Sequence, residues 1–255
     1  MRNSIIHIVF RFGISSLFLG LAIATASATE PGPGSKNSFA QDIQVSIGGS
    51  PVSSGHTQDF GAINLLSASS AITITIENIG SPEDLTVNTI SLGGAHAADF
   101  NLTAPGLPAT LSPTGTTSFT ISFSPLLSGV RTATIEIDSD DPDTNPFVIN
   151  LEGTGVKLDQ TITFNPLSSV TFGDGSFALS ATASSGLPVS YSSSDPLVAT
   201  ISGNTVTIVG AGSTTITASQ TGDDTYNPAP AVDQNLLVNK ATPVITWNTP
   251  AAITY

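Results

Sequence analysis

Strict alternation of apolar and polar residues is the feature of this sequence that most constrains its fold. Four segments place Ile, Phe, Ala or Leu at every second position, with mostly polar residues between them: 72–77, 118–123, 132–137 and 147–152. Successive side chains of a β-strand point to opposite faces, so this pattern predicts strands with one buried and one solvated face. No window after residue 28 sustains the i, i+3, i+4, i+7 spacing of a helix. The sequence therefore predicts an all-β fold.

Turn-forming residues separate these segments at short intervals, as in 78–82, 113–115 and 140–143. Short strands with frequent turn signals favour a sandwich of two antiparallel sheets. A closed barrel gives the same alternation and is the alternative.

The N-terminal segment has the three parts of a secretory signal. Arg2 and Arg11 supply positive charge, residues 14–24 are apolar, and Ala26-Ser27-Ala28 has the small-x-small form of a cleavage site. Its apolar run is shorter than the ~20 residues that cross a bilayer. We therefore predict a signal peptide over 1–28, an extracytoplasmic (secreted or cell-surface) location, and no membrane span.

Charge and cysteine content exclude two classes of function. After residue 28 the chain carries four basic residues against nineteen acidic ones, a formal charge of −15. Nucleic-acid binding requires several Lys or Arg contacts to phosphates, so this class is excluded. The sequence contains no cysteine, which rules out disulfides, thiolate metal sites and a cysteine nucleophile.

The pattern divides the chain into successive units. Residues 29–40 are rich in Pro, Gly and Ser and are predicted to form a flexible leader. We predict one domain over 41–155 and a second over 156–240. Thr161-Ile162-Thr163-Phe164-Asn165 recurs as Val244-Ile245-Thr246-Trp247-Asn248, 83 residues later. This internal repeat predicts that 241–255 is the truncated start of a third repeat, poorly ordered by itself, in a fragment of a longer protein.

Residues 41–155 resemble the Ig-like module of bacterial choice-of-anchor D proteins, which is similar to the Hydin-like group. The matching words are Gln41-Asp42-Ile43, Asp59-Phe60-Gly61, Ile76-Glu77-Asn78-Ile79-Gly80, Asp99-Phe100, the run 119–125, Gly129-Val130-Arg131, Ser139-Asp140-Asp141-Pro142 and the run 151–155. Glycines 80, 129 and 155 of this set are predicted at turns, and phenylalanines 60, 100, 119 and 123 in the core.

Residues 157–240 are similar to a second bacterial Ig-like repeat of large surface proteins. The matching words are the runs 160–164, 183–189 and 222–226. Together the two resemblances imply tandem immunoglobulin-like antiparallel β-sandwich domains with a structural or adhesive role. They imply no catalytic or cofactor residues.

Candidate chemistry is sparse in the sequence. His56 and His96 lie in Gly-containing contexts, but neither a G-x-S-x-G nor an H-E-x-x-H motif is present. The acidic run Asp138, Asp140, Asp141 and Asp143 is the best candidate site, because clustered carboxylates can bind calcium. The favoured interpretation is a turn whose Asp side chains cap backbone amides. Asp223-Asp224 is interpreted in the same way.

The function predicted from these observations is a non-catalytic exported protein whose modules act as spacers and interaction surfaces. Its partner would be an unidentified protein or polysaccharide at the cell surface, and no cofactor is predicted. One alternative is a set of accessory modules of an exported enzyme whose catalytic domain lies beyond residue 255. The other is a carbohydrate- or calcium-binding module.

Overall fold

The computed structural model describes residues 41–248, and this part of the chain consists of β-strands, their connections and one 3₁₀ turn at Ala97–Asp99. The predicted signal peptide (1–28) and leader (29–40) lie outside the described residues, as do residues 249–255. Within 41–248, no helix has the length and apolar character needed to cross a bilayer.

Ten strands form the first sandwich. In chain order they are β1 (Ile43–Ile47), β2 (Ser50–Val52), β3 (His56–Asn64), β4 (Ile72–Asn78), β5 (Leu85–Gly93), β6 (Phe100–Thr103), β7 (Ala109–Leu111), β8 (Thr116–Phe123), β9 (Gly129–Ser139) and β10 (Phe147–Val156). One sheet has the order β2-β1-β4-β8-β6, and the other has β3-β10-β9-β5-β7. Strands β1, β4, β8 and β6 thus take the A, B, E and D positions of an immunoglobulin sandwich, opposite β10, β9 and β5 at G, F and C. The predicted all-β, immunoglobulin-like fold class is confirmed.

The alternating residues face each other between the two sheets. From one sheet, Ile74, Ile76 and Ile121 are fully buried, and from the other Ile135 and Ile137 are equally inaccessible. The polar residues between them lie on the outer faces, as the period-2 pattern predicts. Each such side chain contributes about 1.5–3 kcal/mol by leaving water, and the core they build is one continuous cluster.

Three phenylalanines pack against one another in this core, and one of them, Phe123, lies against a glycine. The ring centroids of Phe100 and Phe123 lie 4.9 Å apart, and Phe60 is 5.7 Å from Phe100. A methyl group on Gly153 would come within 2.6 Å of the Phe123 ring. The side chain at this position of β10 is absent because the aromatic ring occupies its space.

Phe60 reaches the core through a bulge in β3. The register between β3 and β10 shifts between Glu152 and Thr154, so that Phe60 and Gly61 together oppose one residue. Gly61 has a positive φ of 68°, and its N–H donates to Asp59 Oδ1 at 2.7 Å. Glycine adopts this left-handed conformation without steric cost, and a bulge bends the strand that contains it. The Asp-Phe-Gly word therefore specifies a local backbone kink.

Gly155 does not have the role that the sequence suggested. It was predicted at a turn, but it lies within β10. A Cβ there would be 2.2 Å from the carbonyl oxygen of Leu127, so close approach of another backbone excludes a side chain. Gly129, by contrast, begins β9 with a φ of 99°.

Nine strands form the second sandwich, and all but the last two are at most four residues long. They are β11 (Ile162–Phe164), β12 (Val170–Thr171), β13 (Phe177–Ala178), β14 (Ala181–Ala183), β15 (Ser190–Ser193), β16 (Ala199–Ser202), β17 (Thr205–Ile208), β18 (Gly212–Gln220) and β19 (Ala229–Asn239). Strands β12-β19-β18-β15 form one sheet, opposite the pieces β11-β14 and β13-β17-β16. Their core is a separate cluster that includes Phe164, Val206, Ile216 and Leu236.

Residues 241–248 form no strand. Val244, Ile245 and Trp247 are 90%, 85% and 82% exposed. Ile162 and Phe164 of β11, the counterparts of Ile245 and Trp247, are buried. The third-repeat hypothesis for 241–255 and the domain limits at 155 and 240 remain predictions.

Candidate functional site

The acidic run lies in the connection between β9 and β10, and its central member is buried. Asp141 is 2% exposed. Its Oδ1 accepts hydrogen bonds from the N–H groups of Asp143 at 2.7 Å and Thr144 at 2.9 Å. Its Oδ2 accepts from the N–H of Ile43 at 2.8 Å. The carboxylate therefore shapes its own turn and also fastens the first residue of β1 to it.

Two other carboxylates of the run also accept protein donors. Asp140 Oδ1 receives the Thr86 N–H at 2.7 Å, and the Asp140 N–H donates to the Thr86 carbonyl at 3.1 Å. Asp138 Oδ1 accepts from Asn145 Nδ2 at 3.1 Å. Calcium requires six to eight oxygen ligands, and these oxygens already serve N–H groups. Within 41–248, no three or more His, Asp or Glu side chains are grouped so that they could hold a metal ion.

The two histidines are not brought together. His56 begins β3, opposite Ile149 of β10. His96 precedes the 3₁₀ turn and sits beside β9, where its Nδ1 accepts the Thr132 N–H at 3.1 Å. Strand β10 lies between β3 and β9, so the two imidazoles belong to different parts of the sheet.

Two surface grooves offer little chemistry. One, of about 340 Å³, lies on the outer face of the first sandwich between Gly94, Thr132 and Asn150, with Glu152 as its one ionisable side chain. The other, of about 390 Å³, lies in the second sandwich beside Phe164 and Phe177 and has no ionisable lining residue. Glycosyl transfer generally requires two carboxylates, and neither groove is lined by more than one.

Several polar residues that the sequence did not single out are buried hydrogen-bonding centres. Asn78 is fully buried; its Nδ2 donates to the carbonyls of Glu83 and Leu111, and its Oδ1 accepts the Gly80 N–H, all at 2.9 Å. Among the described residues, no buried side-chain nitrogen or oxygen lacks a hydrogen-bond partner. A buried polar group with its partners in place fixes the chain geometry around it.

Asp99 joins the 3₁₀ turn to the β8–β9 connection. Its Oδ1 accepts the Leu126 N–H at 2.8 Å, and its Oδ2 lies 3.5 Å from Arg131 Nε. Arg131 also donates to the carbonyls of Leu127 and Ser128, at 3.1 and 3.2 Å. With side chains 5% and 12% exposed, this ion pair belongs to the framework and is not presented to a ligand.

The junction between the sandwiches is one residue long. Val156 still accepts a hydrogen bond from the Leu65 N–H at 2.8 Å, as part of the first sandwich. Leu158 already belongs to the second: its N–H donates to the Thr225 carbonyl at 2.9 Å, and its carbonyl accepts the Asn227 N–H at 2.8 Å. Lys157, between them, donates through Nζ to the carbonyl of Asp223.

The loop that receives the junction contains the second acidic pair. Asp223 Oδ1 accepts the N–H groups of Thr225 and Tyr226, each at 2.8 Å. The buried Gln160 then donates through Nε2 to Gln220 Oε1 at 2.8 Å and to the Asn227 carbonyl at 2.7 Å. This loop therefore holds the incoming chain in place.

No family model and no curated protein matches the chain. Among solved structures, it is similar to an ASH/PapD-like domain of human CEP192, with 14% identity over 53% of this chain and 99% of that chain and a TM-score of 0.34. The VesB protease of Vibrio cholerae shows 13% identity over 44% and 32% of the two chains, with a TM-score of 0.33. The CARDB domain of the PF1109 protein from Pyrococcus furiosus, solved with di-metal ions, shows 14% identity over 48% and 95%, with a TM-score of 0.31. At these values the likenesses carry no functional argument.

Proposed function

We propose that the chain is a non-catalytic, exported spacer of the choice-of-anchor D, Hydin-like type, whose sandwiches present interaction surfaces at a distance from their point of attachment. The observation that supports this best is the junction. Two sandwiches, each with its own core, follow one another with one residue between their hydrogen-bonded parts. A joint this short restricts bending, as a spacer requires.

The hydrogen bonds of the buried polar side chains support the same proposal. Asp99, Asp141 and Gln160 are buried and hydrogen-bonded to backbone groups within the fold. Catalytic acids and bases must instead face a reactant within hydrogen-bond reach. A structural role for these residues leaves the outer faces of the sheets as the surfaces on which a protein or polysaccharide partner would bind.

Export can be tested with the N-terminal segment alone. Residues 1–40 are fused to an alkaline phosphatase that becomes active outside the cytoplasm of a bacterial host. We expect an active reporter whose mature sequence begins at Thr29. The matched control, Leu19→Arg, interrupts the apolar run and should keep the reporter inactive, since a charged residue opposes insertion. An inactive wild-type fusion would contradict the proposed location.

A further inference from the structure

We propose that the chain is a load-bearing tether, in which tension shears the terminal strands of each sandwich and the second sandwich yields before the first. The inference rests on the proposed spacer function, because a spacer between two attached points carries tension. It adds a property that a mere spacer does not need, namely a fixed order of unfolding.

The chain enters and leaves the first sandwich at opposite ends. At the near end, Ile43 is fastened to Asp141, just before β10 starts at Phe147. Strand β3 starts at this same end, where His56 opposes Ile149. The chain leaves at Val156, the far end of β10. Ten residues of strand separate the two ends by roughly 30 Å.

This geometry loads the ladder between β3 and β10 in shear. The two strands are parallel and share seven paired positions. Tension from the N-terminal side acts first on β1, which five antiparallel pairs hold to β4, and it slides β1 toward the near end. Once β1 and its partner β2 have detached, the same tension pulls β3 toward the near end, while tension from the C-terminal side pulls β10 toward the far end. The strands must then slide past each other, so the evenly spaced bonds of the parallel ladder share the load and break together. If the two strands were pulled apart from one end of the ladder, the same bonds would break one at a time.

The second sandwich has the same arrangement with a shorter ladder. Its early and late segments meet in parallel at two places, the pairing of β12 with β19 and a single bridge outside the strands. At the exit, Val170 and Thr171 of β12 pair with β19, and the Phe172 N–H adds a bond to the Asn239 carbonyl at 2.8 Å. At the entrance, Leu158 forms an isolated bridge with Tyr226. Two ladder positions against seven predict that this sandwich resists shear less.

The junction transmits tension without slack. Lys157 is the single residue between the hydrogen bonds of the two sandwiches, and it is itself bonded to Asp223. Force leaving β10 therefore acts at once on Leu158 and the loop that holds it.

The order of unfolding can be read from step lengths in an optical trap, with handles at the two ends of the mature chain. An unfolded chain extends by up to ~3.5 Å per residue, so residues 41–156 release roughly 400 Å and residues 158–240 roughly 290 Å, before the folded lengths are subtracted. We expect the shorter step first in nearly all pulling cycles. The longer step first, or an order that varies from cycle to cycle, would overturn the proposal.

The shear mechanism itself is tested by changing the direction of pulling. Because the sequence contains no cysteine, handles can be attached at introduced pairs. Gln41→Cys with Lys157→Cys loads the first sandwich from opposite ends, whereas Ser67→Cys with Lys157→Cys loads the β3–β10 ladder from its far end. Because both pairs contain Lys157→Cys, any effect of that substitution is the same in the two measurements. At equal force we expect the first pair to survive at least tenfold longer.

Equal lifetimes in the two geometries would refute shear as the source of resistance. Ser67 is exposed, and Ala68→Cys, its exposed neighbour, is a second choice if the first variant melts differently from the parent. These measurements are independent of location. A failed export assay with the expected step order would refute the proposed exported role alone, and the reverse result would refute the tether alone.

Discussion

Replacing Asp141 by alanine tests the interpretation of the acidic run directly. The change removes the acceptor of three backbone N–H groups, of which the Ile43 N–H is buried. Hydrogen bonds to charged groups contribute about 1.5–3 kcal/mol, and a buried unsatisfied donor costs a similar amount. The N–H groups of Asp143 and Thr144 lie in a part-buried turn where water can replace the carboxylate. We therefore expect a loss of about 3–5 kcal/mol from the first sandwich, a large part of the ~5–15 kcal/mol that stabilises a typical domain.

Asp141→Asn is the graded control. Its single amide oxygen can serve either Ile43 or the two turn N–H groups, and its NH₂ group then faces the other donor. The expected loss is about 2–3 kcal/mol, between wild type and alanine.

The distribution of aromatic residues provides an internal reference for this measurement. Residues 41–155 contain neither Tyr nor Trp, whereas Tyr191, Tyr226, Trp247 and Tyr255 all follow residue 155. In urea titrations, far-ultraviolet circular dichroism follows both sandwiches, and the fluorescence of Tyr191 and Tyr226 follows the second. Trp247 is already exposed in the folded chain and does not report this transition. The Asp141 variants should shift a dichroism transition and leave the fluorescence transition in place. An unchanged dichroism midpoint would refute the structural role of this carboxylate.

The same variants also test calcium binding, the alternative role of the acidic run. A ligand at one hundred times its dissociation constant stabilises the folded state by about 2.7 kcal/mol. If the acidic run held calcium, wild type would melt at a higher temperature with calcium and Asp141→Ala would lose this gain. We expect the same melting temperature with calcium as with a chelator, in both proteins.

Three further predictions concern packing and exposure. Ile135→Ala should lower the free energy of unfolding by about 2–5 kcal/mol, because it opens a cavity in a fully buried site. Thr134→Ala, on the outer face of the same strand, should change it by less than ~1 kcal/mol, and comparable losses would mean that the faces are reversed. Gly153→Ala should lower the stability by about 1–3 kcal/mol, because its methyl group overpacks against an aromatic ring. Gly155→Ala should lower it further, because its methyl group would meet a backbone carbonyl oxygen at 2.2 Å. A calorimetric ranking in the opposite order would contradict this explanation. Trp247, the one tryptophan of the sequence and 82% exposed, should be quenched by acrylamide as readily as free tryptophan, and a protected indole would show that the segment is covered.

The parts of the fold that the sequence revealed are those with a strict local period. Strands β4, β8, β9 and β10 alternate without interruption, and their apolar faces were assigned correctly. The pattern does not predict strand β3, because its bulge at Gly61 interrupts the alternation in the middle of the strand. Strand β12 is two residues long and carries no period at all. Its existence depends on β19, nearly seventy positions away.

The sequence indicated only part of what the acidic run does, for a related reason. The favoured interpretation, a turn whose Asp side chains cap backbone amides, agrees with the bonds of Asp141 to Asp143 and Thr144, but nothing near Asp141 in the sequence indicates that it is buried. Its partner Ile43 lies 98 residues away, and the Asp99 bond to Leu126 spans 27. Such contacts exist once the sheets have assembled, so local propensity does not encode them.

The same observation limits what the family-like words can say about binding. Asp59 holds a bulge, Asn78 holds the β4–β5 and β7–β8 connections, Asp99 holds the 3₁₀ turn, and Asp141 holds the start of β1. The Asp59 bond is local to its bulge, whereas the other three residues join segments that are remote in the sequence, and their polar atoms are hydrogen-bonded inside the fold. Two chains could share every one of these words and differ at every outward-facing position of the sheets. We therefore expect a partner to bind on faces such as that of Thr132 and Thr134, whose side chains form none of these framework bonds.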